Sequence, residues 1–371
     1  MLHAVIMAGG SGTRFWPQSR KRTPKQLLPL AGKETLIQQA VARCSPCVPA
    51  ERVHVVTNAL QVEQSRSQLP QVPAGNFIAE PCGRNTAPCI GLAALELVRR
   101  DPDAVMLVMP ADHVIRPVES FCDAVERAVG LVDQDPRRLV LFGVVPSYPA
   151  TGFGYIRRGA IVGQVSNLPV ETRQVENLPH GAYRVDSFRE KPNLESAREY
   201  LRTGDFFWNC GIFVWRASRI LDAIGEFEPQ LHDGLMQLGE SLGTNRWPTA
   251  LAEQFPQLKS ISIDYAVLER ASDVCVVEAP FDWDDVGSWQ ALPRLIGSDT
   301  QGNSTNGLHV GISTNNCIIK TTEDHLVATA GLSDCIIVHT PDVTLVARRD
   351  DEDAIRQLVA MVEREGLGRF L

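Results

Sequence analysis

An α/β fold, a doubly wound parallel sheet followed by a smaller β-rich segment, is predicted by three observations. From Leu2 to Val145 apolar runs alternate with helically spaced segments, the pattern that places helices on both faces of a parallel sheet. Three glycines, Gly9, Gly10 and Gly12, cut off the first apolar run, at the end of the strand where open α/β sheets hold their ligands. From Gly302 to Arg348 short β-rich pieces recur at intervals close to nine, which suits stacked β coils. With 371 residues the chain exceeds the usual single core, so a large domain, 1–297, and a small one, 298–371, are expected.

Taken in order, Leu2 to Met7 reads as a buried first strand, because it is short, uninterrupted and stopped by glycines. Thr35 to Cys44 has helical spacing, Arg52 to Thr57 reads as a second strand, and a helix near Val62 to Leu69 precedes a short strand at Phe77-Ile78. A helix from Ala87 to Arg100, a strand from Ala104 to Met109, a helix from Phe121 to Val132 and a strand from Leu139 to Val145 continue the alternation. Tyr155 to Arg158 and Tyr183 to Phe188 are strand-like and flank an insertion, about 163–181. Within it Gln164-Val165-Ser166-Asn167-Leu168-Pro169 recurs as Gln174-Val175-Glu176-Asn177-Leu178-Pro179. Two copies are too few for a solenoid, and the stretch reads as an exposed hairpin loop. Helices at Ser218 to Phe227 and Leu231 to Leu242, a capped helix at Ile263 to Arg270 and a strand at Val274 to Glu278 are expected next. An amphipathic helix, Asp350 to Glu365, ends the chain.

Composition narrows the function. Charged residues at 22% and hydrophobic residues at 44% describe an ordinary globular protein. A net charge of -8 without a basic tail argues against nucleic acid as a partner. No run is long enough to span a membrane and no signal peptide is read at the N-terminus, so a cytoplasmic protein without membrane partners is expected. Nine cysteines, an odd number lying mostly in apolar or small-residue stretches, fit reduced core thiols. The lone Cys44-x-x-Cys47 lacks a second pair and reads as structural.

Against that acidic balance the first 33 residues hold no Asp or Glu, while Arg14, Arg20, Lys21, Arg22, Lys25 and Lys33 all fall there. An anionic ligand at the end of the first strand supplies a cause. Glycines let the backbone approach it and turn N–H groups toward a phosphate. Neither common phosphate loop is present: no Gly-x-x-x-x-Gly-Lys-Ser/Thr follows the strand, and Gly10-Ser11-Gly12-Thr13-Arg14-Phe15 lacks the third glycine of a dinucleotide fingerprint. Further along, Arg84-Asn85-Thr86 stands at a helix start, suited to a base or phosphate and equally to capping. Asp112 follows a buried strand, where a turn residue or a metal-holding carboxylate belongs. Glu190-Lys191 offers an acceptor for sugar hydroxyls beside a cation, or a surface ion pair.

The whole run from Ala8-Gly9-Gly10-Ser11-Gly12-Thr13-Arg14 through Phe15-Trp16-Pro17 and Ser19-Arg20 to Pro24-Lys25-Gln26 resembles the sugar nucleotidyltransferases. Its form is similar to that of the mannose-1-phosphate guanylyltransferases, also called GDP-mannose pyrophosphorylases. The resemblance reaches nearly the whole chain apart from the insertion. It implies a Rossmann-like nucleotidyltransferase domain with a mixed, mainly parallel central sheet, then a small left-handed β-helix-like domain ending in a helix. It also implies nucleotide contacts at Ala8, Gly9, Gly10, Gly12, Thr13, Arg84, Asn85 and Thr86, with Arg14 on the departing pyrophosphate and Lys25 on the α-phosphate. Asp112 becomes a catalytic residue and a magnesium ligand. The second metal ligand maps to Asp285, with the adjacent Asp284 as the other register. Gly154, Tyr155 and Asn209 fall on the sugar, Glu190 on its hydroxyls and Lys191 on its phosphate.

The implied reaction transfers GMP from GTP to α-D-mannose 1-phosphate, giving GDP-mannose and pyrophosphate, with Mg²⁺ and no covalent intermediate. A nucleotidyltransferase of different base or sugar, and a non-catalytic nucleotide-sugar sensor, are the alternatives. Larger bifunctional relatives carry a phosphomannose isomerase domain after the β-helix, so isomerase activity is not expected of this sequence. A homodimer is left open.

Overall fold

Residues 1–10, 13–162 and 181–371 are described by the computed structural model. Gly12, and the insertion up to residue 180, lie outside them. The order opens with β1 (Leu2–Ala8), α1 (Leu36–Cys44), β2 (Val53–Asn58), α2 (Val62–Gln68), β3 (Phe77–Glu80) and α3 (Thr86–Arg100). Next come β4 (Val105–Pro110), β5 (Val114–Arg116), α4 (Val118–Gln134), β6 (Leu139–Val144), β7 (Tyr155–Ile161) and β8 (Ala182–Arg189). The catalytic half closes with α5 (Leu194–Thr203), β9 (Phe206–Arg216), α6 (Ala217–Phe227), α7 (Pro229–Gly239), α8 (Trp247–Gln254), β10 (Val274–Glu278), β11 (Asp282–Asp284) and α9 (Leu292–Ile296).

These helices start where their caps stand. Thr35 accepts from the Gln38 N–H while the Gln38 side chain takes the Thr35 N–H, a reciprocal box that starts α1. Asn85, at φ 67, accepts from the Thr86 N–H at 2.8 Å and opens α3. The strands between them are apolar on both faces because both faces are covered. Alternation sends Val5 into one layer with α3, α6 and α7, and Ala4 and Ile6 into the other with α1 and α4.

Nine strands form one sheet, ordered β3-β2-β1-β4-β9-β6-β10-β8-β7. It is mixed and mainly parallel: β1, β2, β3, β4, β6, β7 and β10 run one way, β8 and β9 the other. This is the mixed, mainly parallel sheet that the resemblance implies, where simple alternation alone suggests a parallel one. The eleven-residue β9 slots antiparallel between β4 and β6, with Leu107 opposite Val214 and Leu141 opposite Phe213. A strand buried on both faces has the same apolar composition in either direction, so composition could not reveal this. The expected capped helix at Ile263 to Arg270 is a five-residue π turn, Asp264–Leu268, with no side-chain cap.

The last segment is β12 (Ser304–Asn306), β13 (Leu308–Ile312), β14 (Ile318–Lys320), β15 (Leu326–Ala330), β16 (Cys335–His339), β17 (Thr344–Arg348) and α10 (Glu352–Arg364). Ile318 lies beside Ile336 and Leu308 beside Leu326 in parallel register, so one coil takes eighteen residues and the sequence interval of nine is half a coil. β17 turns back antiparallel on β16 and ends the stack. Ile318, Ile336, Leu345 and Ile355 share a core with Phe15, Trp16, Leu36, Val286 and Trp289. The small domain is thereby packed on the stretch that follows the glycines. Among the described residues no helix is long and apolar enough to cross a membrane.

Candidate active site

The carboxyl ends of β1 and β4 meet at a lysine. Lys25, in a short 3₁₀ turn, is buried, and its ammonium donates to Asp112 Oδ2 at 2.8 Å, to the Asp285 carbonyl at 2.8 Å and to the Val286 carbonyl at 2.9 Å. Its three donors are all used. The neighbouring Gln26 amide donates to the Ala8 carbonyl at 2.6 Å, which also accepts from Thr57, fixing the exit of β1. Gly9 and Gly10 then stand exposed above it. Arg14 reaches the Gly287 carbonyl at 3.2 Å with an otherwise exposed guanidinium.

Asp112 and Asp285 are 173 positions apart in sequence and come together through a two-stranded ladder. β5 and β11 pair antiparallel, with Val114 opposite Asp284, so the residues just before one strand face those just after the other. Asp284 is committed: Oδ2 accepts from Arg294 Nε at 2.6 Å, and Oδ1 caps the Val286 N–H at 2.8 Å. That capping holds Val286 at φ 47, where a β-branched residue is strained. The strained turn aims two successive carbonyls at Lys25.

Charge at this point is compensated. Burial works to raise the Asp112 carboxyl, but the Lys25 ammonium and the neighbouring His113 outweigh it and hold it below its ordinary value. Burial raises Asp285, with Asp284 and Asp112 adding to the shift against Lys25. His113 is pushed down to about 4, chiefly by burial, and its Nδ1 accepts from Trp283 Nε1 at 3.1 Å. It is therefore a neutral, fixed ring at neutral pH.

Among the described residues no three His, Cys, Asp or Glu side chains assemble into a cage. Two hard carboxylates, close enough that Asp112 adds to the upward shift of Asp285, are what a divalent ion bound largely through substrate phosphates requires. Asp112 and Asp285 fit such an ion.

A second group lies at the ends of β7, β8 and β9. Glu190 pairs with Lys191 at 2.8 Å, and a side chain on Gly154 would stand 2.6 Å from the Glu190 carboxylate. Asn209 is locked from both ends: Nδ2 donates to Asp264 Oδ1 at 2.9 Å, and Oδ1 accepts from the Gly211 N–H at 3.1 Å. Among the described residues the second amide hydrogen of Asn209 has no acceptor. Burial, with Glu190 adding to it, raises Asp264 to about 6. Nothing local marks a π turn: the sequence reads as a capped helix over Ile263 to Arg270 and carries no signal for Asp264.

Four of the expected contact residues, Arg84, Asn85, Thr86 and Tyr155, have partners within the chain. The Arg84 guanidinium donates to the Pro256 carbonyl, and Thr86 Oγ accepts from the Ile263 N–H at 2.8 Å. Both side chains thus tie the start of α3 to the segment before the π turn. The Asn85 side-chain oxygen caps its own helix end. Tyr155 opens β7 with its ring fully buried against Tyr200 and Phe206. Thr13 begins the 3₁₀ turn that carries Arg14.

A nucleotidyl transferase family model matches residues 3–301, and a mannose-phosphate isomerase/GMP-like β-helix domain model matches residues 307–362. A Klebsiella pneumoniae protein named mannose-1-phosphate guanylyltransferase is 37% identical over 371 residues, covering 98% of this chain and 74% of its own length. The alginate biosynthesis protein AlgA of Pseudomonas aeruginosa is 35% identical, over 98% of this chain and 72% of its own. A Thermus thermophilus crystal structure, described as a mannose-1-phosphate geranyltransferase, superposes with a TM-score of 0.82 at 32% identity, covering 98% of this chain and 99% of that one. Nucleotidyltransferases of this kind act on a nucleotide and a sugar phosphate and generally use a divalent metal. The chain belongs to the nucleotidyl transferase family, in the form that carries a C-terminal β-helix domain.

Proposed function

We propose that this chain transfers GMP from GTP to α-D-mannose 1-phosphate, releasing pyrophosphate and GDP-mannose. The observation that carries the reading is Lys25, buried between Asp112 and two carbonyls beside the glycine-rich loop. The names of relatives at 35–38% identity supply the choice of guanine and mannose.

A mannose 1-phosphate oxygen attacks the α-phosphorus of GTP, and the bond to the β-phosphate oxygen breaks. Both reactants are anions, whose approach to 4 Å costs about 4 kcal/mol near a protein surface unless cations intervene. Lys25 meets the α-phosphate by exchanging its carbonyl acceptors for phosphate oxygens, and Arg14 neutralises the departing pyrophosphate. Glu190 and the free amide hydrogen of Asn209 orient the sugar hydroxyls, with Lys191 on its phosphate and Gly154 leaving the space. Gly9 and Gly10 let the backbone pass close to the triphosphate. Asp112 and Asp285 would hold the metal, which we assign as Mg²⁺. When bound it neutralises charge on the phosphates. Positioning and charge neutralisation carry the rate, without a protein nucleophile. The cytoplasm is the compartment we assign, in keeping with the free thiols.

Pyrophosphate release by purified protein with Mg²⁺, crossing GTP, ATP and UTP against mannose, glucose and fucose 1-phosphates, tests this. Release confined to GTP with mannose 1-phosphate is expected. A different preferred pair would refute the specificity, and silence from folded, metal-loaded protein would refute the catalysis.

A further inference from the structure

The π turn, Asp264–Leu268, has no side-chain cap of its own. The residue before it, Ile263, is buried, so the Ile263 N–H needs an acceptor within the protein. Thr86, 177 positions earlier in sequence, supplies it: its hydroxyl oxygen accepts that N–H at 2.8 Å. Two further bonds run beside this one. The Ala87 N–H, one of the donors that the first turn of α3 cannot pair internally, donates to the Ile261 carbonyl at 3.1 Å, and the Arg84 guanidinium donates to the Pro256 carbonyl. The start of α3 therefore grips the chain from 256 to 263, with Thr86 at the residue next to the turn.

What the turn carries gives this grip a use. From its first residue, Asp264 Oδ1 accepts from Asn209 Nδ2 at 2.9 Å. Just past its last, Glu269 Oε1 accepts from the Glu190 N–H at 3.1 Å. Asn209 lies on β9 and Glu190 just beyond β8, and this one short turn ties both. Between the two ties Ala266, Val267 and Leu268 are buried in the core shared with α3 and α6. A close-packed segment moves as a unit, so a shift at Ile263 reaches both ties.

We propose that Thr86 is a positioning residue for the sugar phosphate: its hydroxyl fixes the π turn at Ile263, and the turn sets Asn209 through Asp264 and Glu190 through Glu269. The proposal rests on the assignment of Asn209 and Glu190 to the sugar hydroxyls above. It moves Thr86 from the nucleotide, where the resemblance places it, to the sugar side of the reaction. The hydroxyl serves as an acceptor, a capacity that Ser shares and Val lacks.

Steady-state kinetics, with each substrate varied in turn, test this in Thr86→Val, Thr86→Ser and Asn209→Ala. Thr86→Val should raise the KM for mannose 1-phosphate by about fivefold to twentyfold and leave the KM for GTP where it was. Thr86→Ser should bring the sugar-phosphate KM back to the wild-type value. In an Asp264→Asn background the Val substitution should cost less than it does in the wild-type chain, because both changes act on one line of contacts. A merely structural hydroxyl would move neither KM selectively and would add in full. Thr86→Ala, which also lacks the acceptor, reads the same split if the Val variant does not fold. A raised KM for GTP with an unmoved sugar-phosphate KM returns Thr86 to the nucleotide and overturns the proposal. Full additivity with Asp264→Asn, or wild-type values of both KM in Thr86→Val, overturns it as well. An unmoved sugar-phosphate KM in Asn209→Ala overturns the assignment of the sugar contacts, and the proposal with it.

Discussion

The two groups of candidate site residues hold their half-buried carboxylates by different means. Asp112 has the Lys25 ammonium at 2.8 Å and stays below its ordinary value despite burial. Asp264 has an amide donor from Asn209 at 2.9 Å, and burial with the like charge of Glu190 outweighs the more weakly acting Lys191 ammonium, so that it rises to about 6. A counter-charge offsets desolvation; a hydrogen bond from a neutral group offsets only part of it. The charged end suits substrates that arrive as phosphates, and the amide-held end suits hydroxyls, for which a group near its titration point both donates and accepts.

The largest effect that can break this contrast comes from its cation. Lys25→Ala should reduce turnover by about a hundredfold to a thousandfold while leaving the far-UV circular dichroism unchanged, and near-normal pyrophosphate release would refute its role. The carboxylate pair comes next. Asp285→Asn should cost roughly a hundredfold in kcat and raise the metal concentration needed for half-maximal rate. Asp284→Asn, which loosens the Arg294 clamp on the turn, should cost no more than about tenfold and leave the metal requirement where it was. Equal losses with equal metal shifts would merge the two roles.

The smallest effect sharpens the other end. Because the folded carboxyl of Asp264 is raised from 3.8 to about 6, its favourable contribution is complete below pH 3.8 and is lost as pH climbs through 6. Keeping it ionised at pH 7 costs roughly 3 kcal/mol. Asp264→Asn should therefore melt higher than wild type at pH 7 and no higher at pH 4, while its KM for the sugar phosphate rises several-fold. Parallel melting curves across that range would remove Asp264 from the titrating set.

Local pattern was enough to place most strands and helices of the catalytic half within one to three residues, because apolar runs, caps and glycine stops act over a few neighbours. Thr35 opening α1 and Ala8 closing β1 were legible in that way. The spacing of nine in the last segment likewise announced stacked coils, since one coil is two such intervals. The glycine-rich stretch and its excess of cations are legible there too, and point to an anionic ligand.

Tertiary structure alone decided what these local features face. The direction of β9, the meeting of Asp112 with the 285–286 turn through β5 and β11, and the seating of the Ile263 N–H on Thr86 join positions that are distant in sequence. Tertiary structure also gives the two adjacent aspartates different partners, with Arg294 engaging Asp284 and not Asp285. The same is true of Tyr155, whose motif pointed to a ligand while its ring packs into the core. A sequence determines its own periodicity and local chemistry; hydrogen-bond partners, desolvation and counter-charge arise only when separate segments are brought within a few ångströms.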